Sequence, residues 1–187
     1  MAILKIVYYG DPILRKKGKN VSSFDPSLAQ LAKDMIETMY EAEGIGLAAQ
    51  QIGKALQFCV IDLREAEAEF TYTFDGSTPP MDLIMPLVMI NPTITTTPEP
   101  VTIYEEGCLS FPGIRGEIIR PDAIQVNFQD IDGNPHQISC NGLLARCIMH
   151  EVDHLNGMLF IDRMEKNVLV PIEREIKQLR KKTRKKE

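Results

Sequence analysis

The sequence predicts an α+β fold in which mixed and antiparallel β-sheets pack around a central helix bearing His150-Glu151-Val152-Asp153-His154, with one helix near the N-terminus and another at the C-terminus. Three observations carry this expectation. Apolar residues recur at helical spacing in three separated stretches. Short β-rich runs lie between the first and second of them, one with clear period-two alternation and a turn signal after it. The helices and strands do not alternate one for one, as a parallel βαβ sheet would require.

The elements follow in order. Asp25 reads as an N-cap with Pro26 at the first helical position. Leu28, Leu31, Met35 and Met39 then form a helical stripe, widened by Ala32, Ile36 and Tyr40, and Gly44 supplies the stop. Gly44 to Gln51 reads as a loop; the helix before it, where a dinucleotide fingerprint needs a strand, excludes that fingerprint. Strands are expected at Leu56 to Leu63, Leu87 to Thr97 and Pro121 to Asp130, the last alternating at Ile124, Val126 and Phe128. Asp132-Gly133 marks a hairpin returning through His136 to Ser139. Residues 65–86 read as a loop or extra hairpin, and Glu105 to Gly113 as an irregular turn bounded by Gly and Pro. The histidine helix runs from Asn141 or Gly142 to Asn156, with Gly157 as its stop. A last helix follows Pro171, with Ile172, Ile176 and Leu179 as its apolar edge.

Composition narrows the class. A chain of 187 residues, 44% hydrophobic and 25% charged, suits one globular domain over 1–187, with 170–187 as a basic C-terminal helix or tail. The start lacks a signal-peptide pattern, and the longest apolar run, Leu83 to Ile90, is short and broken by Pro86. A soluble cytoplasmic protein with no membrane contact is expected, its four cysteines serving as thiols or ligands rather than a disulfide framework. Net charge is −5, yet residues 173–187 hold eight Lys/Arg against three Glu, so the rest of the chain carries −10. That tail reads equally as a solvated helix end or as a dock for RNA or another polyanion; no specific DNA contact is expected.

The chemistry lies in His150 to His154. Residues four apart share a helix face, so two imidazoles can grip one metal ion while Glu151 handles protons on a water that the ion activates. Such a site usually takes three protein ligands. The third histidine, His136, follows a turn and reads as a surface residue. Among the cysteines, Cys59 falls in an apolar strand, Cys140 and Cys147 flank or lie within the histidine helix, and Cys108 stands in the irregular turn Glu105 to Gly113. Functional groups are displayed on such turns. A buried, inert thiol is the alternative for Cys108.

Gly44-Ile45-Gly46-Leu47-Ala48-Ala49-Gln50-Gln51, Glu106-Gly107-Cys108-Leu109-Ser110 and His150-Glu151-Val152-Asp153-His154 stand in an order and at separations that resemble the peptide deformylases, over nearly the whole chain. Gly10 to Arg15 looks like the family's opening segment. The resemblance implies a hydrolase that removes the formyl group from the N-terminal N-formylmethionine of nascent polypeptides. It implies Cys108, His150 and His154 as ligands of one divalent ion, Fe(II) first, with Zn, Ni or Co fitting the same donors. It makes Glu151 the proton carrier and Gln51 (not Gln50), with the Leu109 N–H, the oxyanion donors. Ile45 and Gly46 would pair with the substrate main chain, and Leu143 and Cys147 would wall a methionine pocket. Arg146, where the family often has an apolar residue, would sit at the pocket rim, reading acidic substrate residues or facing solvent. Glu106 and Arg115 are a candidate ion pair fixing the Cys108 loop, and Asp153 is expected to orient a histidine or an arginine. The C-terminal helix is a candidate ribosome dock.

Three rival readings are distinguishable. A metallopeptidase would cut internal peptide bonds, a metal-storing or ribosome-bound protein would show no turnover, and a Cys108 nucleophile would ignore chelation.

Overall fold

The structure, a computed structural model, describes residues 2–96 and 99–184. Strands β1 (Gly46–Ala48), β2 (Phe58–Ile61), β3 (Tyr72–Phe74), β4 (Leu87–Thr96), β7 (Ala123–Gln129) and β8 (Pro135–Asn141) form a six-stranded sheet in the order β1-β2-β4-β7-β8-β3. Strands β5 (Val101–Gly107) and β6 (Arg115–Pro121) form a separate two-stranded sheet. Among the described residues every strand pair is antiparallel, and parallel pairing is limited to the single bridges Tyr9–Asp11 and Lys19–Leu56. The helices are α1 (Pro26–Glu41), α2 (Gly142–Leu155) and α3 (Lys166–Arg184).

The buried strand β2 explains how α1 and α2 are placed. In β2 all four residues are buried, and they alternate between layers. Phe58 and Val60 pack with Leu28, Met35 and Met39 of α1, while Cys59 and Ile61 pack with Leu144, Ile148 and Leu155 of α2. A strand covered on both faces loses the polar half of its alternation, which is why it reads as a continuous apolar run. Each fully buried Leu, Ile or Phe here contributes about 1.5–3 kcal/mol. A third cluster, built on Phe111, Ile118, Phe160 and Ile176, joins β6, α3 and the N-terminal segment beneath the Cys108 turn.

Several expectations are refined. Asp25 does cap α1, accepting from the Ser27 and Leu28 N–H groups. The helix stop is different: Glu43, not Gly44, takes the left-handed conformation (φ 53°), and the Gly44 N–H closes the turn onto the Met39 carbonyl. Gly44 instead lies close to Leu109: a Cβ there would sit 2.7 Å from a Leu109 methyl carbon, which would have to shift. Helix α3 begins at Lys166, so Pro171 lies inside it rather than before it. Strand β4 ends at Thr96; Thr97 and the tail residues 185–187 fall outside the described residues.

The 65–86 segment is more than a plain loop. Its residues 72–74 form the edge strand β3 on β8, at the opposite edge of the sheet from β1. The β5–β6 hairpin was not foreseen. Its signal was present: Gly116, Ile118 and Arg120 are buried while Arg115, Glu117 and Ile119 are not. An arginine on the inward face obscures that period. Among the described residues no helix is long and apolar enough to cross a membrane.

Candidate active site

Helix α2 supplies one wall of the site. Twelve consecutive residues, Leu144 to Leu155, are buried, including Arg146, His150, Glu151, Asp153 and His154. The helix ends as expected: Gly157 is left-handed (φ 72°), and the Met158 N–H returns to the Asp153 carbonyl. The other wall is the turn between β5 and β6. The Phe111 N–H bonds the Cys108 carbonyl at 2.8 Å, and the Tyr9 N–H bonds the Ser110 carbonyl at 2.9 Å, so the thiol-bearing turn is tied to the N-terminal segment.

Cys108, His150 and His154 converge, their donor atoms all within 4.8 Å of one another. Cys108 Sγ lies 3.2 Å from His154 Nε2. The His150 Nδ1 meets Glu106 Oε2 at 3.0 Å, which fixes the ring and turns its other nitrogen to the cluster. One sulfur and two ring nitrogens crowded together repel unless a proton or a cation lies between them. Burial opposes charge on His150, but its hydrogen bonds to Cys108 and Glu106 outweigh that and favour the positive ring, whereas burial holds His154 well toward the neutral form. The donor set therefore fits a divalent ion. Burial pushes the Cys59 and Cys147 thiols well up, so both stay neutral and neither joins the cluster.

Glu151 is buried beside this cluster, and its Oε2 has no hydrogen-bond partner among the described residues. Burial pushes its carboxyl up to about 7, which suits a group that must both accept and release a proton near neutrality. Gly46 makes room for it: a Cβ at Gly46 would sit 2.5 Å from Glu151 Oε1 and 3.0 Å from Cys147 Sγ. The glycine thus answers a demand of Glu151, where the sequence suggested only the approach of a peptide.

Gln51 is aimed by its neighbours. Its Oε1 accepts from the Ala48 N–H at 2.8 Å, leaving Nε2 to face Cys108 Sγ at 3.5 Å and Ser110 Oγ at 3.4 Å. Gln50 points elsewhere, donating toward the carbonyls of Lys16 and Leu155. A cleft of about 610 Å³ opens over these groups, with Ile45, Gly46, Gln51, Leu109, Leu143, Arg146, Cys147 and Glu151 in its walls. The Leu109 N–H carries no hydrogen bond within the described residues. The Ile45 carbonyl accepts from the Asp62 N–H at 3.0 Å.

Around the site, Glu106 departs from its expected pairing while Asp153 keeps its own. Glu106 does not pair with Arg115, which is exposed and 3.8 Å from Glu105. Glu106 instead receives both Arg120 Nε (2.6 Å) and Arg120 Nη2 (2.9 Å), along with Arg146 Nη1 (2.7 Å). Burial would raise its pKa, but the hydrogen bonds from His150 and Arg120 hold the carboxyl well below the usual carboxylate range. Asp153 orients arginines, accepting from Arg120 at 2.9 Å and Arg163 at 2.7 Å. Arg146 lines the cleft but is only 5% exposed, and its two terminal nitrogens are bonded to protein at Glu106, Ile118 and Thr102. Arg120 and Ser110 were missed because nothing local in the sequence marks an arginine in a strand or a serine in a turn as belonging to a site.

A thiol, two imidazoles and a buried carboxyl at one cleft define the class as a metal-dependent hydrolase. The family model for polypeptide deformylase matches residues 3–169. A peptide deformylase of Opitutus terrae is 60% identical over 182 residues, covering 97% of this chain and 95% of that protein. Among solved structures, Arabidopsis thaliana peptide deformylase 1B has a TM-score of 0.85 at 38% identity, covering 98% of this chain and 93% of that one. The peptide deformylase of Synechococcus elongatus, solved with actinonin, has a TM-score of 0.79 at 41% identity, covering 94% of this chain and 89% of its own. The chain belongs to the peptide deformylase family. Its activity is hydrolytic removal of the N-formyl group from nascent peptides, and it depends on a metal ion.

Proposed function

We propose that Cys108, His150 and His154 hold the ion and that Glu151, Gln51 and Leu109 carry the deformylation reaction on an N-formylmethionyl peptide. The observation that carries this reading is the convergence of the three donors within 4.8 Å, with the unpartnered Glu151 carboxyl beside them. Iron(II) is the ion we assign, on family resemblance; zinc, nickel and cobalt suit the same sulfur and nitrogen donors. When bound, the ion lowers the pKa of water and polarises the formyl carbonyl.

Glu151 takes a proton from the attacking water and returns it to the departing amide nitrogen, giving formate and a free α-amine. Charge collecting on the former carbonyl oxygen is met by Gln51 Nε2 and the Leu109 N–H, each such donor being worth about 3 kcal/mol of barrier. The main chain of Ile45 and Gly46 aligns the peptide, and Leu143 and Cys147 flank the methionine side chain. Residues 1–187 act as one catalytic domain in the cytoplasm, with 170–187 as its basic end.

Replacing Glu151 with Ala should leave metal content near stoichiometric while formate release from formyl-Met-Ala-Ser falls about 10²–10⁴-fold. Wild-type turnover by E151A, or internal cleavage of an unformylated peptide by the parent enzyme, would overturn the assignment.

We also propose that α3 docks on the ribosome. Arg174, Lys177 and Lys181 are exposed, while Ile172, Ile176 and Leu179 face the protein. Ribosome co-sedimentation should weaken with salt and be lost on reversing those three charges; charge-reversed protein that still pellets refutes the dock.

A further inference from the structure

Arg146 is the side chain whose position the catalytic roles above leave unexplained. It projects from α2 one turn before His150, and its guanidinium is buried. Its donors go to three places on the β5–β6 hairpin. Nη1 donates to Glu106 Oε1 at 2.7 Å and to the Ile118 carbonyl at 3.0 Å. Nη2 donates to the Thr102 carbonyl at 2.9 Å and to Thr102 Oγ1 at 3.1 Å. The guanidinium carbon also lies 5.0 Å from the centre of the Tyr104 ring.

The hairpin needs such a fastening. A two-stranded sheet is marginal by itself, and one face of this one is exposed at Val101, Ile103 and Ile119. Yet β5 leads directly into Cys108, while the two histidines belong to α2. The separation of sulfur from nitrogen is therefore set by how the hairpin sits on α2. Among the described residues, Arg146 is the one α2 side chain that donates to hairpin backbone carbonyls, and it holds both strands. The same guanidinium shares Glu106 with Arg120 and His150. A planar fork with several fixed donors can make these bonds together; an ammonium cannot.

We infer that Arg146 is a positioning residue that clamps the β5–β6 hairpin to α2, setting the distance between Cys108 Sγ and the imidazoles and so the tightness with which the ion is held. This rests on the proposed ligand set. It differs from the expectation that Arg146 reads acidic substrate residues, because both terminal nitrogens are engaged by the hairpin.

The test uses cobalt(II)-loaded enzyme, whose thiolate-to-metal absorption reports the Cys108 bond directly. Arg146→Met keeps the length and removes every donor; Arg146→Lys keeps the charge and one point of attachment. Cobalt release to a chelator should quicken about 10–100-fold in R146M, the range found when partners of metal ligands are lost. R146K should fall between R146M and the parent, and the thiolate band should shift in the same order. Thermal unfolding of the metal-free proteins, run alongside, separates clamp loss from general weakening.

Release rates and a thiolate band equal to the parent's in both variants would overturn the clamp, whatever the melting temperatures. So would a defect confined to KM for peptides with an acidic second residue, which would return Arg146 to substrate recognition. Should R146M fail to fold, R146K alone decides, because parent-like release from it rejects the need for a fork. Failure of the underlying reading looks different: parent enzyme with no thiolate band would show that Cys108 is not a ligand at all.

Discussion

Two histidines in this molecule each bring Nδ1 against a carboxylate, and the two pairs differ in everything but that contact. His150 meets Glu106 at 3.0 Å in the interior, where Arg120 and Arg146 converge on the same carboxylate. His136 meets Asp75 at 2.6 Å at the sheet edge, with Asp130 3.2 Å from its other nitrogen. The shorter contact is the weaker partnership. Asp75 has 45% of its side-chain surface exposed, so water competes for its charge, whereas Glu106 has 6%. Glu106 is buried, so water is a poor replacement for a lost partner, and two guanidinium groups share it. Distance alone is thus a poor guide to what an ion pair does; the number of buried charges sharing it decides.

The largest expected effect comes from breaking the interior partnership. Glu106→Ala leaves Arg120 and Arg146 buried without their shared carboxylate and should cost about 3–5 kcal/mol in urea unfolding. It also frees His150 Nδ1, so metal affinity should fall about 10–100-fold in an equilibrium titration. Asp75→Ala is the matched control, expected to cost less than about 1 kcal/mol. Equal losses from the two substitutions would erase the distinction between the regions.

A smaller effect sharpens it from the other side. Burial opposes charge on His136, but hydrogen bonds to Asp75 and Asp130 outweigh it and raise its pKa above 6.5. Asp75 is lowered, chiefly by the Gln137 N–H; Asp130 is lowered despite burial, by bonds from Asn134 and His136. The histidine's share of stability is therefore fully present below its unfolded pKa and lost as pH rises through the higher folded value. The carboxylates' share is present above their unfolded pKa and lost on acidification. Raising pH from about 5.5 to about 9 should loosen the β3–β8 edge by under about 1 kcal/mol, read by hydrogen exchange at residues 72–74 and 138–140. His136→Gln should remove that pH dependence while leaving the metal site as it was. A pH response undiminished in H136Q would place its source elsewhere.

The same contrast marks how far the sequence could be read. His150, Glu151 and His154 were legible because a helix carries local spacing directly into space: four residues make one turn. Gln51 and Gln50 were separable only by the resemblance; in the fold Gln51 Nε2 turns toward Cys108 and Gln50 turns away. Residues 65–86 were harder, since a three-residue edge strand has too little pattern to announce itself. The Glu106 partner was misread as Arg115, which sits nine residues on and looks close in a turn. In the hairpin register Arg115 opposes Gly107, and side chains alternate, so its charge is sent outward to Glu105. Arg120, five residues further and on the inward face, reaches Glu106 instead.

The amino-acid sequence by itself determined the elements whose causes are local: the Asp25 cap of α1, the apolar stripes of α1 and α2, the turn at Gly133, and the helical pairing of the two histidines. Only the tertiary structure decided which charges meet in the buried space between α2 and the β5–β6 hairpin, which side chains crowd Gly44 and Gly46, and where Arg146 points. Those outcomes depend on how separate elements approach one another. Strand register and desolvation set that approach, and both are properties of the packed chain rather than of any segment within it.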